Sequence, residues 1–480
     1  MAEIITAAKS FGFLLGGEWR TEGDAVEVRS PFDGSVVGTT FRATSQHMDA
    51  AIAAAVQAFA VTRKLPAYER QRVLSTAART IAERREELAR TIALEAGKPI
   101  KTARTEVDRA ILTFSIAAEE STRIYGEYLP LDLQAATAGR WALVRRFPIG
   151  PIAAITPFNF PLNLVAHKIA PAIAAGCTMV LKPAPQAPLS ALSLAQIVHD
   201  AGWPAGALNV LPAANPVAEM LVTDDRLRML TFTGSAAVGW ELKRKSGKKR
   251  VTLELGGNAG VIVHSDADIA YAAERCAMGG YSYAGQSCIS VQRVLVEAGV
   301  HSQFLREFVP RVQALKLGDP LDEATDVGPL ISEDAARRAE QWIREAVAGG
   351  ARLHCGGARR GSMVEPAVLT GTTPAMKVNC EEAFAPVVTV EPYEDFQEAL
   401  RLVNDSPYGL QAGLFTSDAR LIFRAYEELE VGGLMVGEVP TFRIDHMPYG
   451  GTKDSGLGRE GLRYAIEEMT ERRLLMMNLR

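Results

Sequence analysis

From residue 151 to residue 256 the sequence alternates between short apolar segments and segments that favour helix. Alternation of this kind is typical of parallel βαβ units that carry helices on both faces of a sheet. Strands are predicted at residues 152–156, 178–181, 208–211, 229–232 and 251–255. A second alternating block follows Gly256 and Gly257, where we place a boundary between two α/β domains. A chain of 480 residues exceeds one ordinary core, so two or three domains are expected.

Other patterns flank these two blocks. Helical periodicity runs through residues 47–96 and stops at Gly97-Lys98-Pro99, and a further helix is predicted over 103–125. Two short segments at 13–15 and 18–20 flank a pair of glycines and predict a hairpin. Turns and alternating apolar residues over 122–148 predict a strand pair. In the second block we predict strands near 261–264, 291–298 and 387–393, and helices near 333–348 and 394–404.

Composition and charge argue against several classes of protein. The net charge of −4 gives no reason to expect nucleic acid, and the longest apolar run, 13 residues over 169–181, is too short to span a membrane. The first twenty residues show neither the apolar core nor the cleavage site of a secretory signal. The five cysteines have the spacing of neither a disulfide framework nor a metal site. We therefore expect a cytoplasmic protein that binds no metal.

Two motifs at predicted strand ends suit a ligand that carries phosphate. Gly234 and Ser235, in TFTGSAAVG (231–239), lead from a strand into a helix whose first N–H groups can hold a phosphate. The same residues also make an ordinary helix cap, and the motif is not the GxGxxG dinucleotide fingerprint. Lys182 follows the strand at 178–181, at the edge where open α/β sheets bind ligands, unless it is an ordinary surface lysine.

Three further motifs offer groups for acyl chemistry. Asn159, in ITPFNFP (155–161), precedes a helix expected from about Pro161, and it either donates to an oxyanion or serves as a turn residue. Glu254, in LELGG (253–257), is either a general base or an outward-facing strand residue. Cys288, in GGYSYAGQSCISVQR (279–293), lies among small residues and is either a nucleophile or a filler, a role that suits Cys276 better.

The order and spacing of these motifs resemble the aldehyde dehydrogenase superfamily. Cys288 follows Glu254 by 34 residues, and EEAFAPVV (381–388), NDSPYGL (404–410) and PYGGTKDSGLGREG (448–461) match the family as well. The resemblance extends over nearly the whole chain. The segment EVPTFRIDHMPYGGTKDSGLGREG looks most like the branch of lactaldehyde and non-phosphorylating glyceraldehyde-3-phosphate dehydrogenases.

The resemblance implies a fold and an assembly. The fold is an aldehyde dehydrogenase-like α/β fold with a Rossmann-type cofactor-binding domain (1–122 and 147–256), an α/β catalytic domain (257–445) and a β oligomerisation arm (123–146 and 462–480). The C-terminal residues ERRLLMMNLR are apolar and favour strand, and an edge of that kind pairs readily with another subunit. A homodimer or homotetramer is therefore expected.

The resemblance also implies a reaction. The cysteine of this motif attacks the aldehyde in the family, which assigns that role to Cys288. Asn159 and the N–H of Cys288 would hold the oxyanion of the thiohemiacetal, a hydride would pass to NAD or NADP, and Glu254 would activate the water that hydrolyses the thioester. A glutamate at this position favours hydrolysis over transfer to coenzyme A. The implied cofactor-binding residues are Thr156, Pro157, Phe158, Lys182, Ala184, Pro185, Gly234, Ser235, Gly256, Glu382 and Phe384.

Four positions depart from the family pattern. Pro185 stands where NAD-preferring members carry a glutamate, and its lack of charge removes repulsion against the 2′-phosphate of NADP. Phe158 replaces a tryptophan in the wall of the pocket. Ala385 replaces a glycine, and Gly437 replaces an asparagine.

The substrate is expected to be a small polar aldehyde, either hydroxylated or anionic. Asn163 and His167 follow Asn159 by four and eight residues, and helical spacing would place all three on one face. Ser287 and Arg443 add polarity near the same site. A coenzyme A-acylating semialdehyde dehydrogenase, a broad-range aliphatic aldehyde dehydrogenase and a catalytically silent binding protein are the alternatives.

Overall fold

The computed structural model describes residues 9–478. Residues 1–8, part of the segment considered for a secretory signal, and residues 479–480 of the predicted arm lie outside the described residues. The helices are α1 (Ser45–Thr62), α2 (Ala67–Glu83), α3 (Arg85–Ala96), α4 (Ile100–Glu120), α5 (Asn163–Ala175), α6 (Leu189–Asp200), α7 (Asn215–Thr223), α8 (Ala236–Lys245), α9 (Ile269–Tyr281), α10 (Ala298–Gln313), α11 (Glu333–Ala348), α12 (Lys377–Cys380), α13 (Phe396–Asn404), α14 (Ala419–Glu428) and α15 (Leu462–Glu468). Within the described range, no helix is both long enough and apolar enough to cross a membrane.

The strands alternate with these helices over most of the chain and confirm the predicted α/β class. They are β1 (Ser10–Phe11), β2 (Phe13–Leu15), β3 (Glu18–Arg20), β4 (Asp24–Arg29), β5 (Val36–Arg42), β6 (Glu127–Pro130), β7 (Arg140–Pro148), β8 (Ile152–Ile155), β9 (Met179–Lys182), β10 (Leu208–Val210), β11 (Met229–Thr233), β12 (Arg250–Glu254), β13 (Ala259–Val263), β14 (Val291–Glu297), β15 (Arg352–Cys355), β16 (Arg359–Arg360), β17 (Met363–Val364), β18 (Ala367–Thr370), β19 (Val387–Tyr393), β20 (Tyr408–Gly409), β21 (Gln411–Phe415), β22 (Gly433–Val436), β23 (Thr452–Lys453), β24 (Gly456–Leu457) and β25 (Thr470–Asn478).

The first large sheet has the strand order β24-β12-β11-β8-β9-β10-β2-β3. Its central strands, from β12 to β10, are parallel and lie at the five positions that the alternation predicts. The predicted hairpin is also confirmed, since β2 pairs with β3 and extends one edge of the sheet antiparallel. Buried apolar side chains of these strands and of α1 to α6 form one hydrophobic core. Because these five strands are parallel, their carboxyl ends all lie at the same edge of the sheet.

The predicted helix over residues 47–96 is divided into α1, α2 and α3. The chain turns at Pro66 before α2, and again at Arg84, whose φ of −100° and ψ of 18° lie outside the helical region. The predicted stop is confirmed, because Gly97 ends α3 in the left-handed conformation, with φ 69°. A β-carbon at Gly97 would also lie 2.6 Å from Pro329, so space as well as backbone conformation restricts this position to glycine.

The second large sheet has the strand order β15-β18-β19-β14-β13-β21-β22, and every pair except β15 with β18 is parallel. The predicted strands of this block correspond to β13, β14 and β19, and the predicted helices correspond to α11 and α13. A separate hydrophobic core belongs to this sheet and begins at Val261. The first core includes Leu255 and then resumes at Leu462. Gly256 and Gly257 lie between these two cores.

After the second sheet the chain returns to the first. β24 pairs with β12 at the sheet edge, and α15 packs against α5. The predicted strand pair is present as β6 and β7, and β25 pairs with β7 along its whole length to complete a three-stranded antiparallel sheet. Residues 462–468, which the prediction includes in the arm, form α15 and belong to the first core. This return places residues 443–460 against the helices of the first unit.

Candidate active site

Two cavities lie next to each other at the carboxyl ends of β8, β9 and β11, the edge at which parallel sheets bind ligands. They measure about 460 and about 590 Å³ and share five bordering residues, so they form one continuous groove. The first cavity is lined by eight predicted cofactor residues, namely Thr156, Pro157, Phe158, Lys182, Ala184, Pro185, Gly234 and Ser235. The second is lined by the predicted catalytic residues and the three remaining cofactor residues, namely Cys288, Glu254, Asn159, Gly256, Glu382 and Phe384.

The first cavity offers polar groups that fit a dinucleotide. Ser235 precedes α8 in an extended conformation and its side chain does not cap the helix, so the first N–H groups of α8 lack a side-chain partner. The hydroxyls of Thr156 and Thr233 are buried and have no hydrogen-bond partner among residues 9–478. Burial lowers the pKa of Lys182 at the end of β9. Pro185 contributes no carboxylate to the cavity, so the phosphates and ribose hydroxyls of either NAD or NADP fit these groups.

Glu382 and Phe384 line the second cavity from the loop before β19. Phe384 has a φ of 48°, which is uncommon for an aromatic residue, and its ring meets that of Phe158 edge to face at 6.0 Å. Glu382 accepts a hydrogen bond of 3.0 Å from the N–H of Gly257, and burial raises the pKa of its carboxyl to about 7. A β-carbon at Gly256 would lie 2.5 Å from the Glu382 carboxylate, so a glycine there leaves room for the carboxylate in this position.

Asn159 lies on the loop between β8 and α5 and is buried. Its Nδ2 donates to the carbonyl of Gln286 at 3.2 Å, two residues before Cys288. The backbone carbonyl of Asn159 accepts a hydrogen bond of 2.7 Å from Nζ of Lys98. These contacts fix the amide beside the cysteine loop, and a primary amide keeps a second N–H with which to hold an oxyanion.

The segment before Cys288 has an unusual backbone. Tyr283 and Ala284 have left-handed φ values of 50° and 53°. Gly257 passes so close to the carbonyl oxygen of Cys288 that a β-carbon would collide with it, and Gly285 is equally close to the backbone of Ala385. The small residues around the cysteine therefore allow backbone segments to approach one another closely.

Cys288 is half-buried, and its sulfur lies 3.0 Å from the hydroxyl of Tyr449. Burial raises the pKa of the thiol to about 11, and the carboxylates of Glu382 and Glu254 act in the same direction. The hydrogen bond from Tyr449 and the charge of Arg443 oppose this rise. The nucleophile that the sequence predicts is therefore a thiol whose ionisation depends on its immediate neighbours.

Glu254 is the last residue of β12 and is only 3% exposed, so the outward-facing alternative for this residue is wrong. Neither carboxylate oxygen has a hydrogen-bond partner within residues 9–478. Burial, followed by repulsion from Glu460, raises the pKa of Glu254 well above its ordinary value. A carboxyl group in this state takes up a proton readily, as a general base must.

The structure corrects the helical face expected near Asn159. Helix α5 begins at Asn163, so Asn159 lies on the preceding loop and does not share a face with the later residues. The physical reason is that Glu106 of α4 caps the N-terminus of α5. Its carboxylate accepts a hydrogen bond of 3.1 Å from the N–H of Asn163, the first residue of α5. Asn163 and His167 do share a face, because both contact the hydroxyl of Thr113, at 3.3 and 3.5 Å.

His167 and Arg443 belong to a buried network of charged groups between α4, α5 and the C-terminal segment. Asp445 accepts from Arg109 at 2.6 Å and from Nε2 of His167 at 2.8 Å, and these partners hold its pKa well below the ordinary value although burial opposes them. Burial and the charge of Arg443 lower the pKa of His167. A neutral His167 can donate through Nε2 and accept the N–H of Arg443 at Nδ1, 3.4 Å away.

Glu460 continues this network on the other side of Arg443. It accepts from Arg443 at 3.3 Å and forms a buried ion pair with Lys168. Burial opposes ionisation, but Lys168 outweighs it and brings the pKa of Glu460 down to about 2. The guanidinium of Arg443 also stacks on the ring of Tyr449, 3.6 Å from its centroid. Arg443 therefore connects the buried charges to the residue that contacts the nucleophile.

Several residues of the site were not predicted individually, namely Lys98, Glu106, Arg109, Lys168, Gln286, Asp445, Tyr449 and Glu460. Some of them lie in motifs that predict secondary structure, such as Gly97-Lys98-Pro99, which predicts the end of a helix. Lys168 could have been predicted, because a charged residue within an apolar helical segment indicates a buried ion pair. The structure places Lys168 fully buried in α5, a helix whose residues are all buried. None of the predicted substrate residues Asn163, His167, Ser287 and Arg443 lines the two cavities, although Ser287 is half-buried directly before Cys288.

Two departures from the family pattern have structural explanations. Gly437 has a φ of 66°, and a β-carbon there would meet nothing within 4 Å. Asparagine tolerates this conformation better than most residues, so glycine and asparagine both fit. Ala385 does not belong to the described non-glycine residues with positive φ, and an alanine therefore fits there without strain.

Comparison with known proteins agrees with the site. The model of the aldehyde dehydrogenase family matches residues 19–475, so this chain belongs to that family and is an NAD(P)-dependent aldehyde dehydrogenase. The 3-sulfolactaldehyde dehydrogenase of Priestia aryabhattai is 43% identical over 476 residues, which cover 99% of each chain. Aldehyde dehydrogenase 21 from Physcomitrella patens, solved with the reaction product succinate, is 44% identical with a TM-score of 0.97, over 98% of this chain and 99% of that one. Glyceraldehyde-3-phosphate dehydrogenase from Methanocaldococcus jannaschii, solved with NADP, is 38% identical with a TM-score of 0.92, over 96% and 100%.

Replacing Glu106 with glutamine is expected to lower the free energy of unfolding by about 3–5 kcal/mol, because Lys98 would remain buried without its ion-pair partner. The loop that carries Asn159 would lose an anchor, so kcat should fall as well. Urea unfolding followed by tryptophan fluorescence measures the change in stability. The control Glu323→Gln breaks an exposed pair with Arg104 and should cost about 1 kcal/mol or less. Equal losses in the two variants would contradict this prediction.

Proposed function

We propose that this enzyme oxidises a small aldehyde that carries an anionic group, and that it releases the carboxylic acid by hydrolysis. The charge of the buried network is the observation that supports the anionic group most directly. Three cations, Arg109, Lys168 and Arg443, share two carboxylates, Asp445 and Glu460, so this group of side chains has an excess of one positive charge. An anionic substrate would neutralise that charge inside the protein, where an unbalanced charge is costly.

Two unpaired donors support the same conclusion. The Nδ2 of Asn163 and the Nε of Arg443 are buried and make no hydrogen bond within the described part of the chain. Leaving a buried donor without an acceptor costs free energy, and an anionic oxygen is the strongest acceptor for both. Burial and repulsion from Glu460 raise the pKa of Glu254, which reduces the negative charge that this carboxyl can set against the cations.

The three relatives described for the active site support this class of substrate. Sulfolactaldehyde carries a sulfonate, succinate carries a second carboxylate and glyceraldehyde 3-phosphate carries a phosphate, and the proteins named for them or bound to them are 38–44% identical to this chain. Their shared feature, a negative charge on a short aldehyde or its acid, is the feature that we transfer to this enzyme. A hydroxylated but uncharged aldehyde would leave the buried positive charge unbalanced.

In the first half of the proposed reaction, Sγ of Cys288 forms a bond to the aldehyde carbon and the carbonyl electron pair moves onto oxygen. The second N–H of Asn159 and the backbone N–H of Cys288 stabilise this oxyanion. The groove that contains Thr156, Lys182 and Ser235 would hold the oxidised dinucleotide, which would supply the acceptor for the hydride that leaves the same carbon. Cys288 then carries the acyl group as a thioester.

In the second half, Glu254 takes a proton from a water molecule as the water oxygen attacks the thioester carbon. The carbon–sulfur bond breaks, Cys288 leaves as a thiolate and the carboxylic acid is released. Aldehyde and water are thereby converted to acid, and two electrons are carried away by the reduced cofactor. These reaction steps need no coenzyme A, so the site does not support the acylating alternative. The charged groups near the site do not support the broad aliphatic alternative.

Replacing Cys288 with serine should abolish NAD(P)H production at 340 nm and leave dinucleotide binding intact, because the cysteine is the proposed nucleophile. Glu254→Gln should give one equivalent of NAD(P)H per site in a burst and then turn over slowly, because the thioester would form and persist. The control Cys355→Ser changes a half-buried cysteine that does not line the groove and should remain active. Steady oxidation by the Cys288 variant would refute the mechanism, and turnover of the Glu254 variant restored by coenzyme A would favour acylation.

A substrate panel tests the anionic group. Succinic semialdehyde, 3-sulfolactaldehyde and glyceraldehyde 3-phosphate should give higher kcat/KM than lactaldehyde, and hexanal the lowest. Arg443→Gln should lower kcat/KM for the preferred charged aldehyde about 10- to 100-fold more than for lactaldehyde, because a charge-assisted hydrogen bond is lost. The control Arg463→Gln removes an exposed arginine and should change neither value. A preference for hexanal would rule out the anionic class.

We also infer that the enzyme is a homodimer or homotetramer assembled through its arm. β25 is an edge strand, and Leu474, Leu475 and Met476 are 60, 55 and 49% exposed. Successive side chains of a strand point to opposite faces, so this strand is apolar on both faces as well as open at its edge. Light scattering should therefore show an oligomer for the natural chain and a smaller species for Leu475→Lys. The control Tyr426→Lys lies on α14 and should not dissociate, and a monomeric natural chain would contradict the inference.

We place the enzyme in the cytoplasm. All five cysteines are free thiols, which is the state expected in a reducing compartment. The proposed nucleophile must also stay reduced in order to react. Recovery of the protein outside the cytoplasmic fraction of its source cells would contradict this placement.

A further inference from the structure

Tyr449 lies beside the nucleophile and has no assigned role in the reaction described above. Its hydroxyl is 3.0 Å from Sγ of Cys288, and the side chain is 3% exposed. Its backbone is fixed by a β-bridge with Glu460, whose two N–H to O distances are 3.0 and 2.6 Å. The hydroxyl is therefore held against the sulfur by the same return of the chain that positions the buried network.

The direction of this hydrogen bond follows from the surroundings of the phenol. Burial, followed by the proximity of Cys288, raises the pKa of Tyr449 well above its ordinary value, so the hydroxyl keeps its proton when the thiol loses its own. The guanidinium of Arg443 lies over the ring, 3.6 Å from its centroid, and draws electron density from the phenol. A phenol that stays protonated beside a thiolate must act as the donor.

Other charged groups around Cys288 make this donor important. Glu382, from the loop before β19, and Glu254, from β12, both disfavour a negative charge on the sulfur, as does burial. Arg443 favours that charge, and its guanidinium lies over the ring of Tyr449, whose hydroxyl contacts the sulfur. Within residues 9–478, Tyr449 is the residue whose side chain forms a hydrogen bond with Sγ of Cys288.

We propose that Tyr449 is a further catalytic residue, which donates a hydrogen bond to the thiolate of Cys288 before attack on the aldehyde and again when the thioester is hydrolysed. The proposal rests on the proposed role of Cys288 as nucleophile. On ionisation the thiol proton passes to solvent water, and the phenol keeps its own proton. When the carbon–sulfur bond forms, the sulfur loses its negative charge and the hydrogen bond weakens. When that bond breaks, the leaving thiolate is stabilised once more.

Tyr449→Phe removes the hydroxyl and keeps the ring, the stack with Arg443 and the β-bridge. The experiment measures the second-order rate constant for alkylation of Cys288 by iodoacetamide from pH 7 to 9, without aldehyde or cofactor, and identifies the modified cysteine by mass spectrometry. The rate should fall about tenfold at every pH with the same slope, because one charge-assisted hydrogen bond to the thiolate is lost. The value of kcat/KM should fall by a similar factor, while the KM for the dinucleotide should not change.

Tyr281→Phe is the matched control, because this buried hydroxyl donates to the carbonyl of Ala367 at 2.9 Å and does not contact the site. Its alkylation profile should equal that of the natural enzyme. An unchanged profile for Tyr449→Phe would overturn the role of Tyr449, even if Cys288→Ser is inactive as proposed. Steady oxidation by Cys288→Ser would instead refute the proposed function itself, so the two failures are distinguishable.

Discussion

A guanidinium group buried between α5 and the C-terminal segment organises this active site. Arg443 donates to His167 and Glu460 and stacks on Tyr449, the residue that contacts the nucleophile. Ion pairs in a protein interior often recover less free energy than the desolvation of their charges costs. This network can persist because each of its carboxylates has two partners and because the histidine between them is neutral. The excess charge of the network is positive, which is the basis of the proposed preference for an anionic substrate.

The network exists because the chain returns to its first sheet after completing the second. Arg109 and Asp445 are 336 residues apart, and Lys168 and Glu460 are 292 apart. The pairing of β24 with β12 and the packing of α15 on α5 bring these partners together. The proposed nucleophile lies on the loop before β14 of the second sheet, and the proposed general base is the last residue of β12 in the first sheet. The site is therefore completed only when both units and the returning segment are in place.

Local composition explains what the sequence could predict. Parallel strands buried on both faces are continuous apolar runs, so β8 to β12 were located within a residue or two, and the glycine after α3 marked the end of that helix. The sequence analysis did not predict that the helix over residues 47–96 is interrupted twice. Pro66 indicates the first interruption, because proline disfavours a helix interior. Nothing in the sequence indicates the second, at Arg84, because arginine is common in helices. The order of motifs predicted Cys288, Glu254 and Asn159 as catalytic residues, and the fold brings these three to one cavity. Their supporting residues escaped prediction because contacts across hundreds of residues leave no local pattern, and Tyr449 is the clearest case.

The distribution of charge also determines how an aldehyde can approach the sulfur. Glu254 and Glu382 line the cavity beside Cys288, and their raised pKa values reduce their negative charge at neutral pH. Arg443 keeps its charge on the far side of Tyr449. For the proposed anionic aldehyde, the charge of Arg443 would favour an orientation in which the charged end of the substrate is nearer to the buried network. An uncharged aldehyde of the same length has no such preference, and its reactive orientation must come from shape alone. In the proposed mechanism a single buried cation therefore serves two purposes, since Arg443 adds positive charge to the network and also stacks on the phenol that contacts the sulfur of Cys288.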